Sequence, residues 1–120
     1  MHEASLVLAM CEEILRLAER EGAKGVSSIT VRIGELSGVE KEAFRFAFEV
    51  YQKDDPFFKN AELKIETIPA KSRCRHCGRE TTSSPFGPCP YCGQWGLELV
   101  CGEELDLVRV EFVLEGGEDV

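Results

Sequence analysis

Residues 71–102 read KSRCRHCGRETTSSPFGPCPYCGQWGLELVCG, and this stretch differs in kind from the sequence on either side of it. Glycine, proline, serine and threonine dominate its middle, and regular helical or strand periodicity is weak until its end. A segment of this composition buries too little apolar surface to hold itself in one conformation. We therefore expect this stretch, called the cysteine module below, to be ordered by a metal ion bound to its cysteines.

Four of the six cysteines of the chain follow the pattern Cys74-x₂-Cys77-x₁₁-Cys89-x₂-Cys92. Two residues between paired cysteines let one tight turn, or knuckle, direct both sulfurs at a single ion. A glycine follows each pair, where the turn benefits from a residue that tolerates positive φ. Four thiolates in a tetrahedral array suit Zn²⁺, so the pattern predicts a structural zinc centre on these four residues.

Two other classes of metal-binding protein use the same ligands. The pattern CxxCG with CPxCG is also typical of rubredoxin-type iron sites in electron-transfer proteins, although the module has only three aromatic residues for a rubredoxin core. A nucleic-acid-binding zinc ribbon would need a basic surface. The module contains four of the 14 basic and two of the 22 acidic residues, so the rest of the chain is strongly acidic. We therefore prefer structural zinc and expect no nucleic-acid partner.

Two amphipathic helices are predicted ahead of the module. Apolar residues recur at helical spacing in the first segment, and glycines at positions 22 and 25 end it. This stripe consists of Val7, Met10, Cys11, Ile14, Leu17 and Ala18. The second helix follows a capping-box pattern formed by Ser37 and Glu40, and it ends before Pro56. Its apolar face contains Phe44, Ala47, Phe48 and Tyr51, which we expect to pack in the core.

Three segments alternate apolar and polar residues, which is the pattern of strands with one buried face. Their apolar positions are Ile29, Val31, Ile33, Leu63, Ile65, Val108, Val110, Phe112 and Leu114. One apolar face per strand predicts a sheet covered by helices on that side and solvated on the other. The predicted fold is α+β: a three-stranded sheet with two helices on one face, plus an inserted zinc-ribbon-like four-cysteine module. We expect residues 1–70 and 103–120 to form the α+β body domain and residues 71–102 to form an inserted zinc-binding domain.

Hydropathy and cysteine use indicate a cytoplasmic protein. No apolar run approaches the length of a membrane span, and glutamates interrupt the first 25 residues, so we expect neither a membrane segment nor a signal peptide. Cysteines paired at metal spacing also fit a reducing compartment. The sequence contains neither a P-loop nor a Ser-His-Asp order, so we expect no enzymatic activity.

The chain begins Met-His-Glu, directly ahead of the first apolar stripe. A metal ion bound by the Met1 amine and the His2 amide nitrogen closes one chelate ring. The same amide nitrogen and the imidazole Nδ1 of His2 can close a second ring, fused to the first. Glu3 can supply the fourth ligand through its amide nitrogen or its carboxylate. Nitrogen donors held in one plane suit Ni(II) or Cu(II). On this chemistry alone, an ordinary helix start with an acidic first turn remains the preferred interpretation.

Several motifs together change that preference. The following stretches succeed one another in the sequence: the start MHEASL, the segment VRIGELSGVEKEAFRFAFE, the cysteine pairs CRHCG and CPYCG, and the segment after the module, GEELDLVRVEFV. In this order and over nearly the whole chain, they closely resemble the HypA/HybF family of nickel-insertion accessory proteins. The loop between the two knuckles is somewhat short for that family, and Cys101 is extra to its four-ligand pattern.

The resemblance implies a function and two metal sites. It implies a nickel metallochaperone for the maturation of [NiFe] hydrogenase, which acts with the GTPase HypB and docks on the hydrogenase large-subunit precursor. The implied nickel ligands are Met1, His2 and Glu3, with Ni(II) as transient cargo, and the four paired cysteines are the implied ligands of structural Zn(II). The resemblance leaves three points open: a role in urease maturation, the choice between monomer and homodimer, and the roles of His76 and Cys101.

Overall fold

The computed structural model describes residues 2–114, so Met1 and the end of the predicted body domain, residues 115–120, lie outside the described residues. The elements are α1 (Glu3–Glu21), β1 (Ala23–Gly34), α2 (Lys41–Asp54), a 3₁₀ turn (Pro56–Phe58), β2 (Glu62–Ile68), β3 (Lys71–Cys74), β4 (Glu80–Thr81), β5 (Leu97–Cys101) and β6 (Leu105–Leu114). They form two three-stranded sheets, with strand orders β2-β1-β6 and β4-β3-β5. The predicted α+β class, with two helices and a four-cysteine module, is confirmed.

The body of the molecule consists of α1, α2 and the sheet β2-β1-β6. Its central strand, β1, runs parallel to β2 and antiparallel to β6. The buried core combines side chains from both helices, the 3₁₀ turn and β1, including Val7, Cys11, Ile14, Phe44, Phe48, Phe58, Val26, Ile29 and Val31. Burial raises the pKa of the Cys11 thiol to about 12, which keeps Cys11 a neutral core residue. Among the described residues, no helix combines the length and apolar character needed to cross a membrane.

The prediction for the apolar face of β6 is wrong at Val108 and also at Leu114, the last residue of the strand, which is 52% exposed. Simple alternation places Val108 in the core, but the register shifts between the pairs Thr30–Arg109 and Val31–Leu107, leaving Val108 as the extra residue of a β-bulge. Val108 is consequently 41% exposed. Leu107 packs against the core instead. The bulge changes which residues of β6 face the helices.

The second face of the body sheet, which the sequence predicts to be solvated, is buried at two positions in its centre. Ser28 and Thr30 lie on β1 between the predicted apolar positions, yet both are buried. The Ser28 hydroxyl donates a hydrogen bond of 2.9 Å to the carboxylate of Glu111 on β6. Small polar residues in a central strand are therefore shielded by longer side chains from the neighbouring strands.

The ends of the helices differ in detail from the sequence expectation. Gly22 ends α1 in the left-handed conformation, with φ of 69°, whereas Gly25 lies within β1 and plays no part in the stop. The residue that precedes α2 is Glu40, which makes no side-chain capping bond, so the predicted capping box is absent. The hydroxyl of Ser37 instead accepts a bond of 3.1 Å from the amide of Val39, which tightens the loop before the helix.

The cysteine module contains more regular structure than its composition indicates. Its central strand, β3, pairs antiparallel with both β4 and β5. Cys101, whose role the sequence leaves open, is the last residue of β5. The strands are two to five residues long, and this shortness explains why their alternation is weak in the sequence.

The module joins the body at a closely packed junction. The amide of Leu36 donates to the carbonyl of Gly102 at 2.6 Å, and the amide of Ala70 donates to the Glu35 carboxylate at 2.7 Å. The loop after β1 therefore bonds both chain segments that connect body and module. A Cβ atom on Gly34 would overlap the backbone of Gly102, so this approach requires glycine.

Candidate functional site

The structure brings together the sulfur atoms of the four paired cysteines. Each Sγ atom lies within 4.8 Å of the other three. The Sγ atoms of Cys74 and Cys92 are 3.7 Å apart, and those of Cys77 and Cys89 are also 3.7 Å apart. A tetrahedral ion with metal–sulfur bonds of about 2.3 Å has sulfur–sulfur edges of about 3.8 Å. The spacing and the thiol donors therefore fit one tetrahedral metal ion.

Two knuckles of matching backbone geometry present these sulfurs. In the first, the amide of Gly78 donates to the carbonyl of Cys74 at 2.9 Å, and in the second the amide of Gly93 donates to the carbonyl of Cys89 at the same distance. Both glycines adopt positive φ, at 78° and 77°. The predicted need for glycine after each pair is confirmed, since other residues rarely adopt this conformation.

Backbone amides surround the first sulfur of each knuckle. The amide of His76 donates to Sγ of Cys74 at 3.3 Å, and the amide of Tyr91 donates to Sγ of Cys89 at 3.4 Å. Hydrogen bonds from backbone amides lower the pKa of the Cys74 thiol to about 6, and the amide of Cys77 has the largest effect, followed among the amides by that of His76. Cys74 therefore carries thiolate character at neutral pH, which is the form that binds metals.

His76 and Cys101 lie outside the cluster of four sulfurs. The Nε2 atom of His76 lies 3.0 Å from the carbonyl oxygen of Trp95, so the imidazole connects the first knuckle to the chain leaving the second. The Sγ atom of Cys101 lies 3.6 Å from the carbonyl oxygen of Pro69 in the junction. Both side chains have partners that keep them apart from the candidate metal position.

The chain terminus is the second candidate site. His2 is exposed and immediately precedes α1, and its carbonyl accepts the amide of Leu6 at 3.1 Å. The carboxylate of Glu3 accepts a hydrogen bond of 3.0 Å from the amide of Glu40, which holds the pKa of the Glu3 carboxyl below its ordinary value. Met1, the third predicted ligand, lies outside the described residues.

The contact with Glu40 was not predicted from the sequence. Glu3 and Glu40 are 37 positions apart. The donor of the hydrogen bond is a backbone amide, which nearly every residue type has, so the identity of residue 40 does not indicate the contact. The contact ties the beginning of α1 to the beginning of α2. It therefore places the start of α1 beside the loop that also contacts the cysteine module.

The fold and these two sites define a class of protein: a small α+β metal-binding protein with an inserted four-cysteine centre and an accessible histidine at the start of its first helix. The family described as "Hydrogenase/urease nickel incorporation, metallochaperone, hypA" matches residues 1–112. The chain therefore belongs to the HypA family of nickel-incorporation metallochaperones, and the resemblance seen in the sequence is confirmed.

Individual relatives agree with this assignment. The chain is 39% identical over 113 residues to hydrogenase maturation factor HypA of Synechococcus elongatus, covering 94% of this chain and 100% of that protein. It is 42% identical over 117 residues to hydrogenase maturation factor HypA of Wolinella succinogenes, covering 96% and 98%. The solution structure of the Ni metallochaperone HypA from Helicobacter pylori matches with a TM-score of 0.66 at 26% identity, covering 96% of this chain and 100% of that one.

Proposed function

We propose that this protein binds Ni(II) at its N-terminus and delivers it for the maturation of [NiFe] hydrogenase. The observation that carries the proposal is the exposed His2 at the start of α1 in a chain of the HypA family. A metal donor needs ligands that are accessible to a recipient, and a chain terminus exposes the amine, the first amides and the imidazole together. Protonation of these nitrogens loosens the ion, which favours its release.

The proposed ligands at this site are Met1, His2 and Glu3. The Glu3 carboxylate already accepts the Glu40 amide, so we favour the Glu3 amide nitrogen over its carboxylate as the fourth donor. The bond to Glu40 then has a separate role, because it fixes the direction in which the first turn of α1 points. Negative charge at position 3 also offsets the repulsion between a cation and the helix N-terminus.

We propose that the four-cysteine centre holds a resident Zn(II) ion with a structural role. The ligands would be Cys74, Cys77, Cys89 and Cys92, whose sulfurs have the spacing of a tetrahedral site. Zn(II) supplies no redox chemistry there. It links the two knuckles and thereby holds the short strands of the module in place.

The proposal includes partners and a location. A HypB-type GTPase would drive or receive the transfer, and the hydrogenase large-subunit precursor would accept the ion, while this chain performs no catalysis. Metal transfer to these partners is expected in the cytoplasm, where thiolate ligands remain reduced.

A cellular complementation experiment tests the proposed function. In a host that lacks its own HypA protein, the wild-type chain should restore hydrogenase activity at low nickel, whereas His2→Ala should not. Excess nickel in the medium should restore activity with either protein, because a high concentration of free ion replaces delivery by mass action. If His2→Ala restores activity fully at low nickel, the terminal site is not the source of the delivered ion.

We further propose that residues 1–70 and 103–120 form one domain and residues 71–102 another. Replacing residues 71–102 by a short Gly/Ser linker is expected to leave a folded body, because its buried core is formed by residues 7 to 63. Circular dichroism and thermal unfolding measure the outcome. A non-cooperative transition in this variant would contradict the domain assignment.

A further inference from the structure

The face of the body sheet that lies away from the helices carries a row of three polar residues at its centre. Thr30 of β1 pairs with Lys64 of β2 on one side and with Arg109 of β6 on the other. Residues paired in this way point to the same face of a sheet, and all three line one cavity of about 330 Å³ on that face. A hydroxyl group therefore lies between two cationic side chains at this point.

The two carboxylates that line the same cavity already have partners. Glu111 accepts a hydrogen bond of 2.9 Å from the hydroxyl of Ser28, and its second oxygen lies 3.1 Å from the guanidinium of Arg109. Glu66 pairs with the guanidinium of Arg32 at 3.3 Å. The acceptor groups of the cavity are thus bound by donors other than the hydroxyl of Thr30 and the ammonium of Lys64.

The donors at the centre of the cavity lack acceptors. Thr30 is only 9% exposed, yet its hydroxyl makes no hydrogen bond among the described residues, unlike that of Ser28. Lys64 forms no ion pair in the same part of the chain, whereas Arg109 contacts Glu111 through one terminal nitrogen and keeps further N–H groups available. Buried polar groups are normally paired, so the cavity is short of acceptor oxygens.

The cationic side chains act on the cavity from both neighbouring strands. The pKa of the Glu111 carboxyl is lowered by the hydrogen bond from Ser28 and then by the charges of Arg109 and Lys64. Glu111 and Arg109 belong to β6, whereas Lys64 belongs to β2. The charge of Lys64 is therefore close enough to act across the central strand.

We propose that this cavity binds the phosphate or carboxylate group of a small molecule through Lys64, Thr30 and Arg109. Such a group supplies acceptor oxygens to all three donors, and hydrogen bonds between charged groups are the strong ones. Neighbouring strands lie about 4.8 Å apart, so the backbones of Lys64 and Arg109 are about 10 Å apart, and both side chains are long enough to meet over Thr30. The cavity has the volume of a small-molecule site.

Acidic residues on both sides of this row restrict the ligand to one compact anionic group. The paired positions before and after the row each place two carboxylates on the outer strands. These residues are Glu62 and Glu111 on one side, and Glu66 and Asp106 on the other. They repel a polyanion such as a nucleic acid, but they leave the space over Thr30 to a single anionic group. The site contains none of the proposed metal ligands, so it is independent of the proposed nickel delivery.

Titration of the zinc-loaded protein with inorganic phosphate and, separately, with acetate tests the site. The ionic strength is held constant, and NMR spectroscopy follows the backbone amides. We expect saturable shifts at positions 30, 64 and 109, with dissociation constants in the millimolar range for these minimal probes. The probe with the lower dissociation constant identifies the anionic group of the ligand. If neither ion gives a saturable shift at these positions, the proposal is overturned.

Two variants and a matched control make the test specific. Thr30→Val keeps the branched shape and removes only the hydroxyl, so anion affinity should fall about fivefold, while thermal unfolding should not move to lower temperature. Lys64→Gln changes an exposed side chain and should lower the affinity on the order of tenfold or more, since it removes a charged donor. Lys59→Gln removes the same charge from an exposed position outside the cavity and should bind like the wild type. An equal loss in Lys59→Gln and Lys64→Gln would reduce the effect to net charge and overturn the proposal.

Discussion

Replacement of His2 by alanine is expected to abolish detectable nickel binding at the terminus while leaving zinc content and thermal unfolding nearly unchanged. Loss of the imidazole removes one of the two fused chelate rings and leaves too few nitrogen donors for a planar site. The cost in folding free energy should be small, since the exposed His2 side chain makes no capping hydrogen bond to α1. Isothermal titration calorimetry with Ni(II) measures the affinity, and mass spectrometry measures the zinc content.

Addition of one residue ahead of Met1 provides a second test of the same site. The added residue converts the Met1 amine into an amide and moves the free amine out of the chelate, while every native side chain is retained. Nickel binding should therefore be impaired almost as much as by His2→Ala. Native affinity in the extended protein would show that the terminal amine is not a ligand.

Glu3→Gln separates the two candidate fourth donors. Glutamine keeps the backbone amide and retains an oxygen that can accept the amide of Glu40. If the Glu3 amide is the ligand, this variant should lose much less nickel affinity than His2→Ala. An equal loss in the two variants would instead assign the carboxylate to the metal.

Protons compete with nickel for the same nitrogen atoms. The proposed terminal site uses an amine, amides and an imidazole, all of which must lose protons to bind the ion. Nickel affinity should therefore fall as the pH is lowered. Titrations at two pH values measure this effect, and an affinity independent of pH would exclude nitrogen ligands of this type.

The sequence predicted those parts of the molecule that depend on local spacing. The pairs at positions 74, 77, 89 and 92 set two knuckles by their spacing alone, and the structure brings their sulfurs together. In the predicted helical stripe of α1, Val7, Cys11, Ile14 and Ala18 are buried, while Met10 and Leu17 are half-buried. In each case, residues close in sequence carry the whole pattern, so no information about distant partners is required.

The parts that could not be predicted depend on contacts between distant residues. The bulge at Val108 arises from the register between β6 and β1, which are about 80 positions apart in the sequence, and alternation within β6 alone does not reveal it. The capping-box prediction at Ser37 followed a correct local pattern. In the structure, however, α2 begins after Glu40, whose amide is bound by Glu3 of the other helix. Tertiary contacts thus decide the position of the bulge in β6 and the residue at which α2 begins.

Removal of the metal from the four-cysteine centre is expected to unfold residues 71–102 while the body stays folded. Within this segment, the buried side chains are those of Ser72, Cys74, Thr81 and Cys89, and none of them is a large apolar residue. The aromatic side chains of the segment, Phe86, Tyr91 and Trp95, are all exposed. Without metal, the module therefore has neither a hydrophobic core nor a cross-link, and short strands alone are marginal in water.

Amide hydrogen exchange before and after chelation measures this loss residue by residue. Protection should disappear in β3, β4 and β5 and persist in β1 and β2, where the core contributes the stability.

Cys77→Ser should give the same result without a chelator, because three thiolates hold the ion less tightly. Cys101→Ser is the matched control, since Cys101 lies outside the sulfur cluster, and its module should stay protected with one zinc ion per chain. Protection that survives chelation throughout the module would show that the chain, and not the metal, holds the knuckles. A coloured protein that contains iron would instead assign a rubredoxin-type centre to the same four cysteines.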